Sequence, residues 1–324
     1  MMNSPSTWNS HAFLIMDSSD LVAVRITSTV IVVVGTVLHS LVIYLTGKRR
    51  HADNPAYSLF MQIYSAFCIF QFVAGWTLTL KYGTRSDGQI KATYVLYNGV
   101  GSYLGPVFCY MLTLFVNPFI NVIYTLVPTG MAFRVYIVYG RKLTRRIVLI
   151  AVAIIIVAQI PNSLMLLRAY TPMSTVNIAF TAEERQQLID KAAVFIIFQT
   201  RWEWYYLTFV GSQIFYVCVP VTFLLGLIAF WKLTRYKREI SAQTAKVQRA
   251  FIYLLTLEAL SLCPGFIFDF ARNLLRDEVV KSETLRVIVT VYGSCVPSLI
   301  PTIQAVAMLG LVPFFREEIV HTGF

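Results

Sequence analysis

One stretch constrains this 324-residue chain more than any other. Residues 99–138 carry a single charge, Arg134, and run directly into Tyr139, Gly140, Arg141, Lys142, Leu143, Thr144, Arg145 and Arg146. A bilayer core is crossed by about 20 apolar residues in helical form, so the run is either one long tilted span or two short ones. Two spans need a turn between them, and the middle offers only Asn117 and Pro118, with no charge. One helix is therefore expected. Pro118 and Pro128 are tolerable inside it, because neighbouring helices and Ser or Thr side chains can re-satisfy the carbonyls that proline frees. The basic cluster at its end prefers the cytoplasm, so the helix runs from outside to inside as the third span.

The rest of the composition agrees with a membrane. Hydrophobic residues make up 57 % of the chain, charged residues only 13 %, and mean hydropathy is +0.65. A soluble domain would carry about 25 % charged residues, so the expected class is an all-α polytopic membrane protein. Cys68, Cys109, Cys218, Cys263 and Cys295 all fall inside apolar runs, where cysteine behaves as a small buried hydrophobe and forms no disulfide framework. His11, His39, His51 and His321 are scattered without ligand spacing, so no metal, haem or other cofactor is expected. The net charge of +11 would suggest nucleic acid in a soluble protein; here its cause is topological.

In chain order, residues 1–20 are polar apart from a short apolar patch at 11–16 that lacks the basic flank of a cleaved signal. The first span, 21–46, stops at Lys48, Arg49 and Arg50. The second, 56–80, opens after Asn54-Pro55 and is closed by the turn residues of 81–88. The fourth, 147–167, is kinked or ended near Pro161-Asn162. Residues 192–198 reach only about 10 Å as helix and are expected to be loop or interfacial helix. The fifth span is 204–231, its outer end anchored by Trp202, Trp204, Tyr205 and Tyr206. The sixth, 250–270, contains Pro264, and the seventh, 287–311, contains Pro297 and Pro301. Residues 313–320 are short and amphipathic and read as a helix lying on the membrane.

Seven spans place the termini on opposite sides. With the amino terminus outside, the inner segments 48–53, 134–146, 232–249 and 312–324 hold far more Lys and Arg than acids, whereas the outer segments nearly balance. The expected organisation is thus an extracellular 1–20, a seven-transmembrane bundle over 21–311 and a short cytoplasmic tail, 312–324. No internal repeat and no pair of interrupted helices suggests an inverted-repeat transporter.

Ionisable groups inside spans are costly and so are candidates for function. They are few: Arg25, His39, Arg134, Glu258 and Asp269. Arg25 reads as a snorkelling side chain, and His39 as a neutral hydrogen-bonding imidazole. Glu258 lies about 14 Å along its helix from Arg249, near mid-membrane. As a protonated neutral acid it needs one hydrogen bond; the alternatives are an ion pair with His39 or a cationic ligand. Asp269 and Arg272 can form a local pair at the outer interface. No phosphate loop, metal spacing or Gly-x-Ser-x-Gly is present, and no enzyme is expected.

Several short motifs carry a resemblance. Tyr103, Leu104, Gly105, Pro106, Val107, Phe108 and Cys109 place a Gly-Pro three residues before a cysteine at the outer end of span three. Phe133, Arg134, Val135 and Tyr136 stand at its inner end, and Ile160, Pro161, Asn162 and Ser163 in span four. Span six begins with Gln248, Arg249, Ala250 and Phe251 and continues through Glu258 to Pro264. In these residues the chain resembles the nematode serpentine chemoreceptors of the Str superfamily, most closely class d (Srd), within the G-protein-coupled receptors. It departs from the pattern at Val135, where a second aromatic is usual, and at Glu258, where glutamine is usual. No acid precedes Arg134, and the second outer loop has no cysteine.

The resemblance implies a chemosensory receptor in a sensory-neuron membrane, in its cilia, that binds a small odorant or pheromone outside and signals to a heterotrimeric G protein inside. The pocket is expected in the outer half of the bundle, lined by Phe108, Asn117, Phe209, Gln213, Phe268, Asp269 and Tyr292. G-protein contact is expected at Arg134, Tyr136, Arg141, Lys142, Lys237, Arg238 and Arg249, with Glu258 and Pro264 as a switch. A ligand-gated cation channel of the odorant-receptor type, with its amino terminus inside, and a small transporter are the alternatives.

Overall fold

The computed structural model describes residues 18–48, 55–86, 91–97, 99–171, 186, 194–197, 214–235, 257, 260, 295 and 298–309. Its helices are α1 (Ser18–Lys48), α2 (Pro55–Leu78), α3 (Pro106–Val138), α4 (Arg145–Val157), α5 (Ile160–Ala169), α6 (Ile214–Arg235) and α7 (Ser298–Leu309). Among the described residues, α1, α2, α3 and the α4–α5 pair are long and apolar enough to cross a membrane, and α6 and α7 contain shorter apolar helices. The expected sixth span lies outside the described residues except for Leu257 and Leu260.

The outward faces explain what solvent this fold requires. Val22, Ile26, Val30, Val33 and Val37 recur every three or four residues along α1, and Ile147, Ile150, Ile154 and Val157 along α4, all exposed. Apolar stripes of that length belong against lipid rather than water. Since lipid tails are as apolar as the side chains, the bundle is held by close packing and interhelical hydrogen bonds.

α2 is the centre of that packing. Its Phe60, Met61, Tyr64, Cys68 and Phe72 are buried in one core with Val42 and Leu45 of α1, Val122 and Leu126 of α3, Val148 and Val152 of α4, and Ile300 and Met308 of α7. Two glycines allow the approach. A Cβ on Gly35 would lie 2.5 Å from a ring carbon of Phe72 and 2.7 Å from Thr302 Oγ1, and one on Gly130 would lie 2.8 Å from the ring of Phe60.

The long third span is one helix, as expected, with Pro118 and Pro128 inside it. Proline at 118 removes the N–H that would reach the Leu114 carbonyl. Ser163 Oγ of α5 donates to that carbonyl at 3.3 Å. The helix begins later than the apolar run does: residues Val100–Leu104 form a 3-10 turn, Gly105 takes φ +91°, and Pro106 opens α3. The fourth span breaks at Ala158 and Gln159, just before Pro161, into α4 and α5.

The outer loops differ from the expectation. Residues 81–88 read as turn residues, and 192–198 as loop or interfacial helix. The structure instead pairs β1 (Leu80–Ser86), β2 (Lys91–Tyr97), β3 (Tyr170–Thr171) and β4 (Val194–Ile197) in an antiparallel sheet of order β1-β2-β4-β3. The partners of β4 lie about a hundred residues away in β2 and about 25 away in β3, so its short apolar run could not be distinguished locally from helix. Tyr97, at the end of β2, is fully buried, and its hydroxyl accepts from Thr113 Oγ1 of α3. Tyr110 of α3 stacks on Tyr170 of β3 with ring centroids 4.0 Å apart and donates to the Leu166 carbonyl. Gly99 lets the chain return from the sheet to the end of α2, since a Cβ there would lie 2.1 Å from the Thr77 carbonyl oxygen.

Cys68, Cys109, Cys218 and Cys295 are buried and free, as small hydrophobes would be; Cys263 lies outside the described residues.

Candidate functional site

Tyr57 and Tyr64 are seven residues apart on α2, two helical turns, so both rings leave the same face. That face points at α3 and α7. Arg134, near the inner end of α3, is only 2 % exposed. Its Nε donates to the Tyr57 hydroxyl, and its guanidinium carbon lies 5.4 Å from the centroid of the same ring. Phe60 lies between the two tyrosines and meets Phe133, the neighbour of Arg134, edge-on at 5.2 Å.

Above this contact is a crevice of about 20 Å³, lined among others by Tyr57, Tyr64, Arg134 and Gln304. It has the volume of a water molecule, and its lining is mostly apolar apart from these four side chains. The Tyr64 hydroxyl donates to Gln304 Oε1 of α7. One step further in, the buried His39 of α1 has Nδ1 3.1 Å from Ser65 Oγ and Nε2 3.1 Å from the Pro301 carbonyl. A carbonyl can only accept, which assigns the ring hydrogen to Nε2 and leaves Nδ1 to accept from Ser65. The hydrogen-bonded imidazole expected of His39 is present, and in its neutral form the ring takes this tautomer. Both nitrogens have partners on α2 and α7; Glu258, the alternative partner, lies outside the described residues.

The inner rim differs in character. Tyr136 is 40 % exposed, and Arg141 and Lys142 are exposed as well. Lys232 Nζ of α6 lies 4.6 Å from the centroid of the Tyr139 ring. Arg134 and Tyr136, adjacent in the motif, are therefore separated by the helix: one faces the bundle and the other faces out. Lys237, Arg238, Arg249, Glu258 and Pro264 lie outside the described residues.

Of the expected pocket, Phe108 and Asn117 are described. Phe108 is 42 % exposed on a stripe of α3 with Met111 and Phe115, and Asn117 is half-buried. Phe209, Gln213, Phe268, Asp269 and Tyr292 lie outside the described residues. A second crevice, of about 210 Å³, opens between the outer ends of α1 and α2, lined by Arg25, Thr29, Trp76, Thr79 and Tyr103 among others. There the Trp76 indole donates to Thr29 Oγ1 at 2.9 Å.

Gln304, a neutral polar residue in a span, is expected to be an interhelical hydrogen-bond partner and is one; Tyr57, Tyr64 and Ser65 were missed. The seven-residue spacing of the two tyrosines was a signal, but which face of α2 met α3 was not readable without the fold.

Residues 24–321 match the family model described as serpentine type 7TM GPCR chemoreceptor Srd. The chain belongs to that family. The match begins within α1 and extends beyond α7, so it spans every helix described above. No curated protein matches the chain closely. In this Srd receptor, a seven-transmembrane chemoreceptor of a non-enzyme class, the buried polar seam joins α1, α2, α3 and α7, and the basic rim lies beyond it at the end of α3.

Proposed function

We propose that this receptor sits in the plasma membrane of a sensory neuron, in its cilia, with its amino terminus outside, binds a small odorant or pheromone and activates a heterotrimeric G protein. The observation that carries this reading is the Srd family match along residues 24–321. Residues 1–20 are then extracellular, 21–311 form the bundle and 312–324 a cytoplasmic tail. The lysine- and arginine-rich inner segments support that orientation and oppose a channel with its amino terminus inside. Ligand contacts are assigned to the outer half, at Phe108, Asn117, Phe209, Gln213, Phe268, Asp269 and Tyr292, a mostly apolar set with a few polar groups.

On the inner side, Arg134 contacts the G protein in the active state, within a surface made by Tyr136, Arg141, Lys142, Lys237, Arg238 and Arg249. Exposed Tyr136, Arg141 and Lys142 support that surface, and the burial of Arg134 argues against lipid headgroup anchoring as its role. Glu258 and Pro264 act as the switch in span six. The test is expression of the full chain with a promiscuous G protein and a screen of odorants. Arg134→Ala should abolish the agonist response at unchanged surface level, and an unchanged response would remove Arg134 from this account.

A further inference from the structure

Arg134 cannot reach a partner on the inner face from where it lies. It is buried, its Nε is bonded to the Tyr57 hydroxyl, and its guanidinium lies over the Tyr57 ring. The residues that pack around it keep Tyr57 in place: Phe60 lies 5.9 Å from Tyr57, centroid to centroid, and 5.2 Å from Phe133, the neighbour of Arg134 in α3. Gly130, one turn before Arg134, admits Phe60 so closely that any side chain there would displace it.

We propose that Tyr57 is a latch that sequesters Arg134 inside the bundle, so that this structure represents a state in which the arginine is withheld from its partner. The inference rests on the reading that Arg134 contacts the G protein, and it adds the element that regulates that contact. The latch is also connected to α7. Tyr57, Tyr64, Arg134 and Gln304 line one water-sized crevice, the Tyr64 hydroxyl donates to Gln304 Oε1, and His39 ties the next turn of α7, at Pro301, to Ser65 of α2. A shift of α7 against α2 changes the walls of that crevice and the setting of Tyr57. A hydrogen bond to a charged group is among the stronger ones, so removing it moves the balance between bound and free arginine appreciably.

The test uses the full chain in lipid nanodiscs and does not depend on knowing a ligand. Phenylglyoxal modifies accessible guanidinium groups, and mass spectrometry reads each arginine separately, with exposed Arg141 and Arg145 as internal references. Arg134 should be protected in the native chain. Tyr57→Phe keeps the ring and its packing but removes the hydroxyl, and labelling of Arg134 should rise about tenfold, equivalent to about 1.4 kcal/mol, with the references unchanged. Tyr57→Met, whose flexible side chain fills the same space, serves if the first variant does not fold. Equal labelling of Arg134 in native chain and variants would overturn the latch. Nucleotide exchange on added G protein is measured on aliquots of the same preparations kept free of phenylglyoxal. A labelling increase with no rise in exchange would leave Arg134 sequestered by Tyr57 but overturn its assignment as a G-protein contact.

Discussion

The hydroxyl of Ser163 in α5 donates to the carbonyl of Leu114 in α3, and Leu114 is the residue that Pro118 deprives of its helical donor. The two helices are therefore joined at the point where α3 lacks a bond of its own. Ser163→Ala should lower thermal stability in detergent by about 0.6 kcal/mol, and by no more than about 1.7, the range found for interhelical hydrogen bonds in membranes. In a Pro118→Ala background, where residue 118 regains its N–H, the same change should cost little. Equal losses in both backgrounds would mean that Ser163 acts elsewhere.

Close approach at Gly35 makes a second prediction. Gly35→Ala puts a methyl group against Phe72 and Thr302, joining α1, α2 and α7 in one clash, and overpacking of this kind costs about 1–3 kcal/mol. Thermal unfolding of the purified variant measures it. Gly140→Ala should be milder in packing terms, since nothing lies near its Cβ, but it strains a residue at φ +73°.

Topology is tested by adding N-glycosylation acceptors, since the chain contains no Asn-x-Ser/Thr of its own. A site placed near residue 5 should be glycosylated, and a site on a tail appended after Phe324 should not. The reverse pattern would put the basic segments outside and overturn the receptor orientation.

Glu258 lies outside the described residues, and its prediction comes from the sequence alone. A carboxyl near mid-membrane is least costly when neutral, and a neutral glutamic acid has nearly the shape of glutamine. Glu258→Gln should keep surface level and signalling, while Glu258→Leu should weaken signalling. Dose-response curves for the two variants separate this from an essential negative charge, which Glu258→Gln would remove.

Much of the bundle was legible because lipid imposes a simple rule of length and apolarity, which residues 106–138 meet without ambiguity. Pro161 marked the break between α4 and α5, and the Gly105-Pro106 pair carried the resemblance to class d, although the start of α3 at Pro106 was not read from it. His39 was legible too, since an uncharged imidazole is the least costly form of histidine inside a span. What was not legible depends on which faces meet. Arg134 and Tyr136 look equivalent in the motif, yet one is buried against Tyr57 and the other is exposed. The strands were hidden for a related reason: Val194–Ile197 is too short to show a period, and its partners at Ala92 to Val95 are distant in the chain.

The pairing of β2 with β4 fastens the segment after α5 to the α2–α3 connection through main-chain hydrogen bonds. No cysteine is present in residues 168–203, and Cys109 at the top of α3 is buried and free. The join between these two connections thus forms without an oxidation step. Its assembly needs no disulfide isomerase at that clasp, and a thiol reductant has nothing there to cut.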